Sequence, residues 1–159
     1  MSIIFRNITM IYIIFLASAL GAVLYAGIVV APVIFGSDSV FGDTILSQYQ
    51  EGIIMSENFI RLSYAVTLSA IVIFLYEGYK YKMGERDNLA LVGAFLAIST
   101  AMLFSYYYIP DILFLQQIGE EATKTEKFLN LHKGSEIDFK LYAFSLLLIL
   151  IRNLNRALK

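Results

Sequence analysis

Cysteine and tryptophan are absent from this chain of 159 residues, which contains one histidine and two prolines. Without cysteine the chain can form no disulfide, no thiolate metal site and no cysteine nucleophile. One histidine is too few for a bis-histidine haem or a histidine-rich zinc site. Without tryptophan, an aromatic belt at a membrane surface has to come from tyrosine and phenylalanine.

Catalytic signatures are missing as well. The chain has no Ser-His-Asp set, no glycine-rich phosphate loop and no H-E-x-x-H helix. We therefore expect no catalytic residue, no cofactor and no metal site, and we interpret the protein as a non-enzyme.

Charge is also scarce. Only 16% of the residues are charged and 58% are hydrophobic, whereas soluble domains are about 45–50% apolar and about 25% charged. The mean hydropathy is +0.70. A net charge of −1 gives no reason to expect nucleic acid as a partner. The composition therefore favours a protein whose main partner is the lipid bilayer.

The longest apolar run lies near the N-terminus. No charged residue lies between Arg6 and Asp38, and a helix needs about 20 apolar residues to cross a bilayer core about 30 Å thick. Arg6, the apolar stretch after it and the A-x-A-like residues 17–19 also fit a cleaved signal peptide. Hydrophobicity continues past that point to Phe35 without a polar segment, so we predict a retained membrane-spanning helix.

The sequence predicts an all-α integral membrane four-helix bundle with a short surface helix before the last span. The spans are expected at about residues 8–35, 59–79, 88–109 and 137–154, in a single transmembrane domain covering residues 1–159, with the surface helix around 120–131. Arg61 and Glu77 flank the second span and are expected to reach the two surfaces. Asp87 is expected to cap the third helix. The last span has a charge-free core of only residues 141–151.

Three residues of the first helix are predicted to form a helix-packing face: Gly21, Gly27 and Pro32. The glycines let a neighbouring helix approach closely, and the proline bends or stops the helix near the end of the span.

Basic residues near the spans predict the orientation. If four helices cross, the termini and the 80–87 turn share one side, which carries seven basic residues: Arg6, Lys80, Lys82, Arg86, Arg152, Arg156 and Lys159. The other side carries Lys124, Lys127 and Lys133, with Arg61 and Lys140 at its border. Both termini are therefore predicted in the cytoplasm, and the membrane is the inner membrane if the protein is bacterial.

The two prolines suggest an internal duplication. Pro32 and Pro110 each close an odd-numbered predicted span, precede an apolar triplet ending in phenylalanine, and lie 27 residues before the next predicted span. Two hairpins repeated in one orientation would resemble parallel-repeat transporters. Prolines commonly end spans, so coincidence is the alternative explanation.

Several motifs resemble one known family. The first helix contains Gly21 and the segment Val30-Ala-Pro-Val-Ile-Phe35, and a His-x-x-Ser pattern at His132 leads into the last helix. Together with the four-span layout, these features resemble the transmembrane-protein-205-like family of small membrane proteins. That family has Asn where this chain has Asp138. The resemblance implies a four-span fold; bacterial members are largely uncharacterised, and the animal relative is associated with drug and metal tolerance.

Ionisable residues gather on the predicted outer side. They form an outer-face polar cluster of seven residues: Glu57, Arg61, Asp111, His132, Glu136, Asp138 and Lys140. The cluster could be a vestibule for ions or small solutes, or its members could be interfacial anchors and helix caps. His132 could sense pH or bind a metal with a neighbouring carboxylate, or it could cap a helix.

Three classes of function follow. The first is transport of, or tolerance to, a small solute, ion or drug. The second is a non-catalytic accessory or assembly subunit of a membrane complex, favoured by the nearly featureless spans. The third, a membrane enzyme or cofactor carrier, is disfavoured by the missing cysteine and the single histidine. The expected partners are the bilayer and either a second copy of the chain or another membrane protein.

Overall fold

The computed structural model describes residues 3–158, which are mostly helical and contain no β-strand. Its α-helices are α1 Ile3–Tyr25, α2 Ala31–Phe35, α3 Ser37–Phe41, α4 Gln48–Lys82, α5 Asn88–Leu103, α6 Ile109–Ile118, α7 Glu120–Thr123 and α8 Glu126–Ala157. Two π-helical segments continue the longer helices: π1, Ala26–Val30, joins α1 to α2, and π2, Phe104–Tyr108, joins α5 to α6. The predicted all-α fold is confirmed. Lys159, which the predicted orientation used, lies outside the described residues.

Polar caps determine where the long helices begin. The Ser47 hydroxyl accepts a hydrogen bond from the Gln50 N–H, and the Gln50 side chain accepts one from the Ser47 N–H, so α4 starts with a capping box. Asp87 and Thr125 each accept from the N–H three residues further on and cap α5 and α8. Each cap stabilises its helix by about 1 kcal/mol. The predicted cap at Asp87 is confirmed.

The helices extend beyond the predicted spans. The capping box starts α4 well before its apolar part. Pro110 lies in the first turn of α6, directly after π2, and α5, π2 and α6 follow one another without a break. The third apolar stretch therefore continues past the proline to Ile118. The predicted surface helix is divided, because α7 ends at Thr123 and residues 126–131 belong to α8.

Three continuous helical stretches are long and apolar enough to cross a membrane: Ile3–Phe35, Gln48–Lys82 and Asn88–Ile118. Helix α8 has 32 residues, but charges occupy both of its ends, and its longest charge-free run covers only residues 141–151. Length and composition therefore support three of the four predicted spans, and the fourth, on α8, stays a prediction. The membrane localisation rests on these three helical stretches.

The four longest helices share one core. Helices α1 and α5 each pack against both α4 and α8. Gly93 permits close approach of α5 to α8, since a Cβ there would lie 3.0 Å from Ile149 Cγ1. The large side chains that are fully enclosed include Leu16, Ile73, Tyr142, Leu146 and Ile149. Many other large apolar side chains are exposed, as expected where lipid is the solvent.

The structure repeats itself along the chain with a spacing of 78 residues. Segment π2 follows π1 at this spacing, Pro110 follows Pro32, and the hydroxyl cap Thr125 follows Ser47. In both halves the residue before the proline donates its N–H to the first carbonyl of the π segment. A π segment with the proline after it, and a hydroxyl cap, thus recur in one register in the two halves. The internal duplication stays a hypothesis, which this spacing supports.

Candidate functional site

A buried ion pair lies at the turn end of the protein, which we define as the end where α1 and α5 begin and α4 and α8 end. Glu77 and Lys80 lie one turn apart on α4, with Lys80 Nζ 3.1 Å from Glu77 Oε2 and only 4% of each side chain exposed. Burial of two charges is costly, so such a pair is stable only when further polar groups complete its hydrogen bonds.

Neighbouring helices supply these groups. Asn153 on α8 donates to Glu77 Oε1 over 2.8 Å and accepts from Lys80 Nζ over 2.7 Å. Tyr12 on α1 donates its hydroxyl to the same Glu77 oxygen over 3.2 Å. The network Tyr12–Glu77–Lys80–Asn153 therefore joins three helices through one carboxylate.

Aromatic rings cover the network. The rings of Tyr12 and Tyr76 stack with their centroids 3.8 Å apart, and Lys80 Nζ lies 5.5 Å from the Tyr76 centroid. Tyr76 donates to Thr9 Oγ1 over 2.8 Å, and Thr9 donates in turn to the Phe5 carbonyl. The Lys80 ammonium group thus contacts a carboxylate, an amide oxygen and the face of an aromatic ring.

A pocket of about 270 Å³ lies beside Lys80. Its walls are Phe5, Thr9, Tyr76, Lys80, Glu85, Asn153, Arg156 and Ala157. A water molecule takes up about 30 Å³ in the liquid, so the pocket has room for a small polar molecule. Charges of both signs face an aromatic wall, a combination typical of small-molecule sites.

Further charges form the rim of the pocket. Arg152 lies 3.0 Å from the Asp87 carboxylate, and Arg156 lies 3.2 Å from Glu85 and 3.5 Å from Asp87. Burial alone would raise the pKa of Asp87, but hydrogen bonds from Arg152 and from the Ala90 N–H, with the charge of Arg156, hold that pKa below its ordinary value. The ionised Asp87 therefore ties the end of α8 to the start of α5.

Sequence reasoning missed this network. The sequence predicts that Glu77 reaches the surface, whereas only 3% of the residue is exposed in the structure. The spacing of Glu77 and Lys80 is the one available signal, and it is the same for an exposed pair on a helix. Asn153 looks like an ordinary residue near the end of the last helix, and no short pattern connects it to α4.

The predicted outer-face cluster is spread over the opposite end, which we call the loop end because it carries the two long connections. Glu57 and Arg61 form a pair on α4 at 2.9 Å. On α8, Glu136 lies 3.5 Å from His132 and 3.4 Å from Lys140. These side chains are substantially exposed, and the structure brings them together only within each helix.

The last two members of the cluster lie apart from these groups. Asp111 on α6 makes no ion pair and no side-chain hydrogen bond within residues 3–158. Asp138 is buried, with 5% of the residue exposed. In the described part of the chain, no group of three or more histidine, aspartate or glutamate side chains is placed to hold a metal ion.

The predicted helix-packing residues have different surroundings. A Cβ at Gly27 would lie 3.2 Å from Phe139 Cε1, so Gly27 allows α8 to approach π1. A Cβ at Gly21 would meet nothing within 4 Å, and Pro32 is exposed. Packing of another helix on Gly21 and Pro32 stays a prediction.

The chain matches a known family model. The model of a domain of unknown function, DUF4149, matches residues 14–121. The matched part runs from α1 to the start of α7; it includes Glu77 and Lys80, while Tyr12 and Asn153 lie outside it. No curated protein and no solved structure matches the chain. Because the match covers more than half of its residues, the chain belongs to the DUF4149 family of domains of unknown function.

Proposed function

We propose that this membrane protein binds a small polar solute or ion in the turn-end pocket and acts in transport of that solute or tolerance to it. The observation that carries the proposal is the buried Tyr12–Glu77–Lys80–Asn153 network beside a pocket of about 270 Å³. Ionisable groups inside a membrane protein are costly and tend to mark functional sites.

Further hydroxyl groups lie in the interior, between the pocket and the loop end. Ser69 hydrogen-bonds with Tyr142, and Thr67 donates to Ser105 over 3.2 Å. A buried apolar layer separates these hydroxyl pairs from Glu77: Ile73, Leu146 and Ile149. A route through the interior is closed in this conformation, and transport would require α4 and α8 to separate at this layer.

The topology in this proposal follows the sequence expectations. Helix α8 is the fourth span, the turn end and both termini face the cytoplasm, and the protein is non-catalytic. The repeat of 78 residues supports the proposal, because parallel repeats occur in several families of transporter. The resemblance to the transmembrane-protein-205-like family, with its association with drug and metal tolerance, is consistent with it.

A second candidate function is an accessory subunit of a membrane complex. It is favoured by the outward side of α1, where a Cβ at Gly21 would meet no other atom within 4 Å and where Ile14 and Tyr25 are exposed. A helix of another protein could pack closely there. Co-purification of a stoichiometric partner would favour this function over transport.

The proposal predicts a tolerance phenotype that depends on the pocket. Arg156→Gln removes a cation from the pocket wall, and a lost hydrogen bond to a charged group costs about 1.5 kcal/mol or more. We therefore expect the apparent affinity for the solute to fall about tenfold or more. Growth and uptake across a panel of metals, drugs and small solutes measure this loss. The strain lacking the gene, complemented with each variant, provides the assay.

Arg86→Gln is the matched control, because Arg86 is exposed and stacks on Tyr81 outside the pocket. Equal membrane levels of the variants are checked first. Arg156→Gln that behaves like the wild type, or a deletion strain that matches its parent across the whole panel, would contradict the proposal.

A further inference from the structure

We propose that Asp138 is a proton-binding site and that the folded protein holds this carboxyl group in its neutral, protonated form. Asp138 lies on α8 at the loop end, far from the turn-end pocket. The inference goes beyond the solute site and stands whether or not the protein transports anything.

Asp138 belongs to a small set of buried carboxylates. Four are found in the described residues: Glu51, Glu77, Asp87 and Asp138. Glu51 accepts a hydrogen bond from Ser37 over 2.6 Å. Glu77 and Asp87 are paired with cations and amide donors, as described above. Asp138 differs, because its Oδ2 is fully buried and has no hydrogen-bond partner within residues 3–158.

A buried carboxylate oxygen without a hydrogen-bond donor or a cation has lost its contacts with water, and no protein group replaces them. The neutral acid avoids most of this cost, and a buried acid therefore retains its proton where an exposed one would release it. A metal ion is the other way to neutralise the charge. That would require more oxygen ligands, and no such group is present in the described part of the chain.

No cation in the described residues is placed to pair with the Asp138 carboxylate. Helices α1, α4, α6 and α7 and segment π2 pack against the loop-end part of α8. The titratable residues on these elements at this end are Tyr25, Tyr49, Glu51, Glu57, Arg61, Tyr64, Tyr106, Tyr107, Tyr108, Asp111, Glu120 and Glu121, and those on α8 nearby are His132, Lys133, Glu136, Lys140 and Tyr142. Arg61 pairs with Glu57 and 77% of its side chain is exposed, and Lys133 is exposed as well. The ammonium of Lys140 lies 3.4 Å from Glu136, and 74% of the Lys140 side chain is exposed. Among the others, Tyr108 interacts electrostatically with Asp138.

Tyr108 also connects the site to a small cavity. A Cβ at Gly134, one turn before Asp138, would lie 2.9 Å from the Tyr108 hydroxyl, so the phenol packs directly on α8. Tyr108, Ser56 and Ser135 line a cavity of about 30 Å³. That volume can hold a water molecule, and Ser135 lies one turn from Asp138.

Infrared spectroscopy of the purified protein tests the proposal. An exposed aspartate has a pKa of about 3.9 and is ionised at about pH 6, so a protonated carboxyl band at that pH reports a shielded acid. We expect the band in the wild type and in the control Asp111→Asn, and its loss in Asp138→Asn. Isotope-labelled aspartate should shift the band, which identifies aspartate even if the Asn variant fails to fold.

Three results would overturn the proposal. They are a spectrum without the band, a band that persists in Asp138→Asn, and a band that disappears when sodium or another cation is added at constant pH. The last result would make Asp138 a cation site. Since the spectra need no solute, a failure of the solute proposal leaves this test unaffected.

Discussion

Lys80→Met is expected to lower the free energy of unfolding by about 3–5 kcal/mol, because it leaves the Glu77 carboxylate buried without its cation. Methionine retains much of the apolar stem of lysine, so the loss comes from charge and hydrogen bonding rather than from packing. Asn153 would lose a donor to its Oδ1 at the same time. The measurement is unfolding in mixed micelles titrated with denaturing detergent and followed by loss of helix signal.

Lys82→Met is the matched control, since Lys82 lies on the same helix and is exposed. Its free energy of unfolding should stay within about 0.5 kcal/mol of the wild type. Adding Glu77→Gln to Lys80→Met should make the double loss smaller than the sum of the two single losses, because the amide that replaces the carboxylate carries no charge. Equal effects of Lys80→Met and Lys82→Met would show that the buried pair does not exist.

Leu146→Ala is expected to lower the free energy of unfolding by about 2–5 kcal/mol, because it removes buried methyl groups and leaves a cavity in a closely packed core. Leu146 has no exposed surface and belongs to the layer between the pocket and the hydroxyl pairs. The same detergent titration measures the loss.

The neighbouring Leu147→Ala serves as the control for Leu146→Ala. Leu147 is 42% exposed, and a truncation on the lipid-facing surface should cost much less than one in the core. If the two alanine variants lose similar stability, then α8 does not pack with the face described here. Such a result would also remove the support for α8 as a fourth span.

The fold could be predicted where local chemistry determines it. The charge-free run between Arg6 and Asp38 indicates a span by length alone, and Asp87 before an apolar stretch indicates a helix cap. Pro32 and Pro110 suggested a repeat, which stays a hypothesis. The sequence did not indicate the π segments before them, because a π-helix depends on a backbone hydrogen-bond shift that has no clear residue signature.

The candidate site could not be predicted, because its residues come from three helices and meet only after packing. Glu77 near the end of a span has the same sequence signature whether its carboxylate reaches water or meets Tyr12 and Asn153. Asp138 is a second case of the same kind, since it lies among exposed charges in the sequence but is buried on α8. In both cases the face of the helix that packs decides the burial.

Native mass spectrometry of the protein, gently extracted from its own membrane, tests the central claim most directly. The account predicts the chain alone or as a homo-oligomer, carrying a bound small polar molecule that Lys80→Met or Arg156→Gln loses and Lys82→Met retains. A stoichiometric foreign subunit, or a bound molecule unaffected by Lys80→Met and Arg156→Gln, would contradict a solute site formed by this chain.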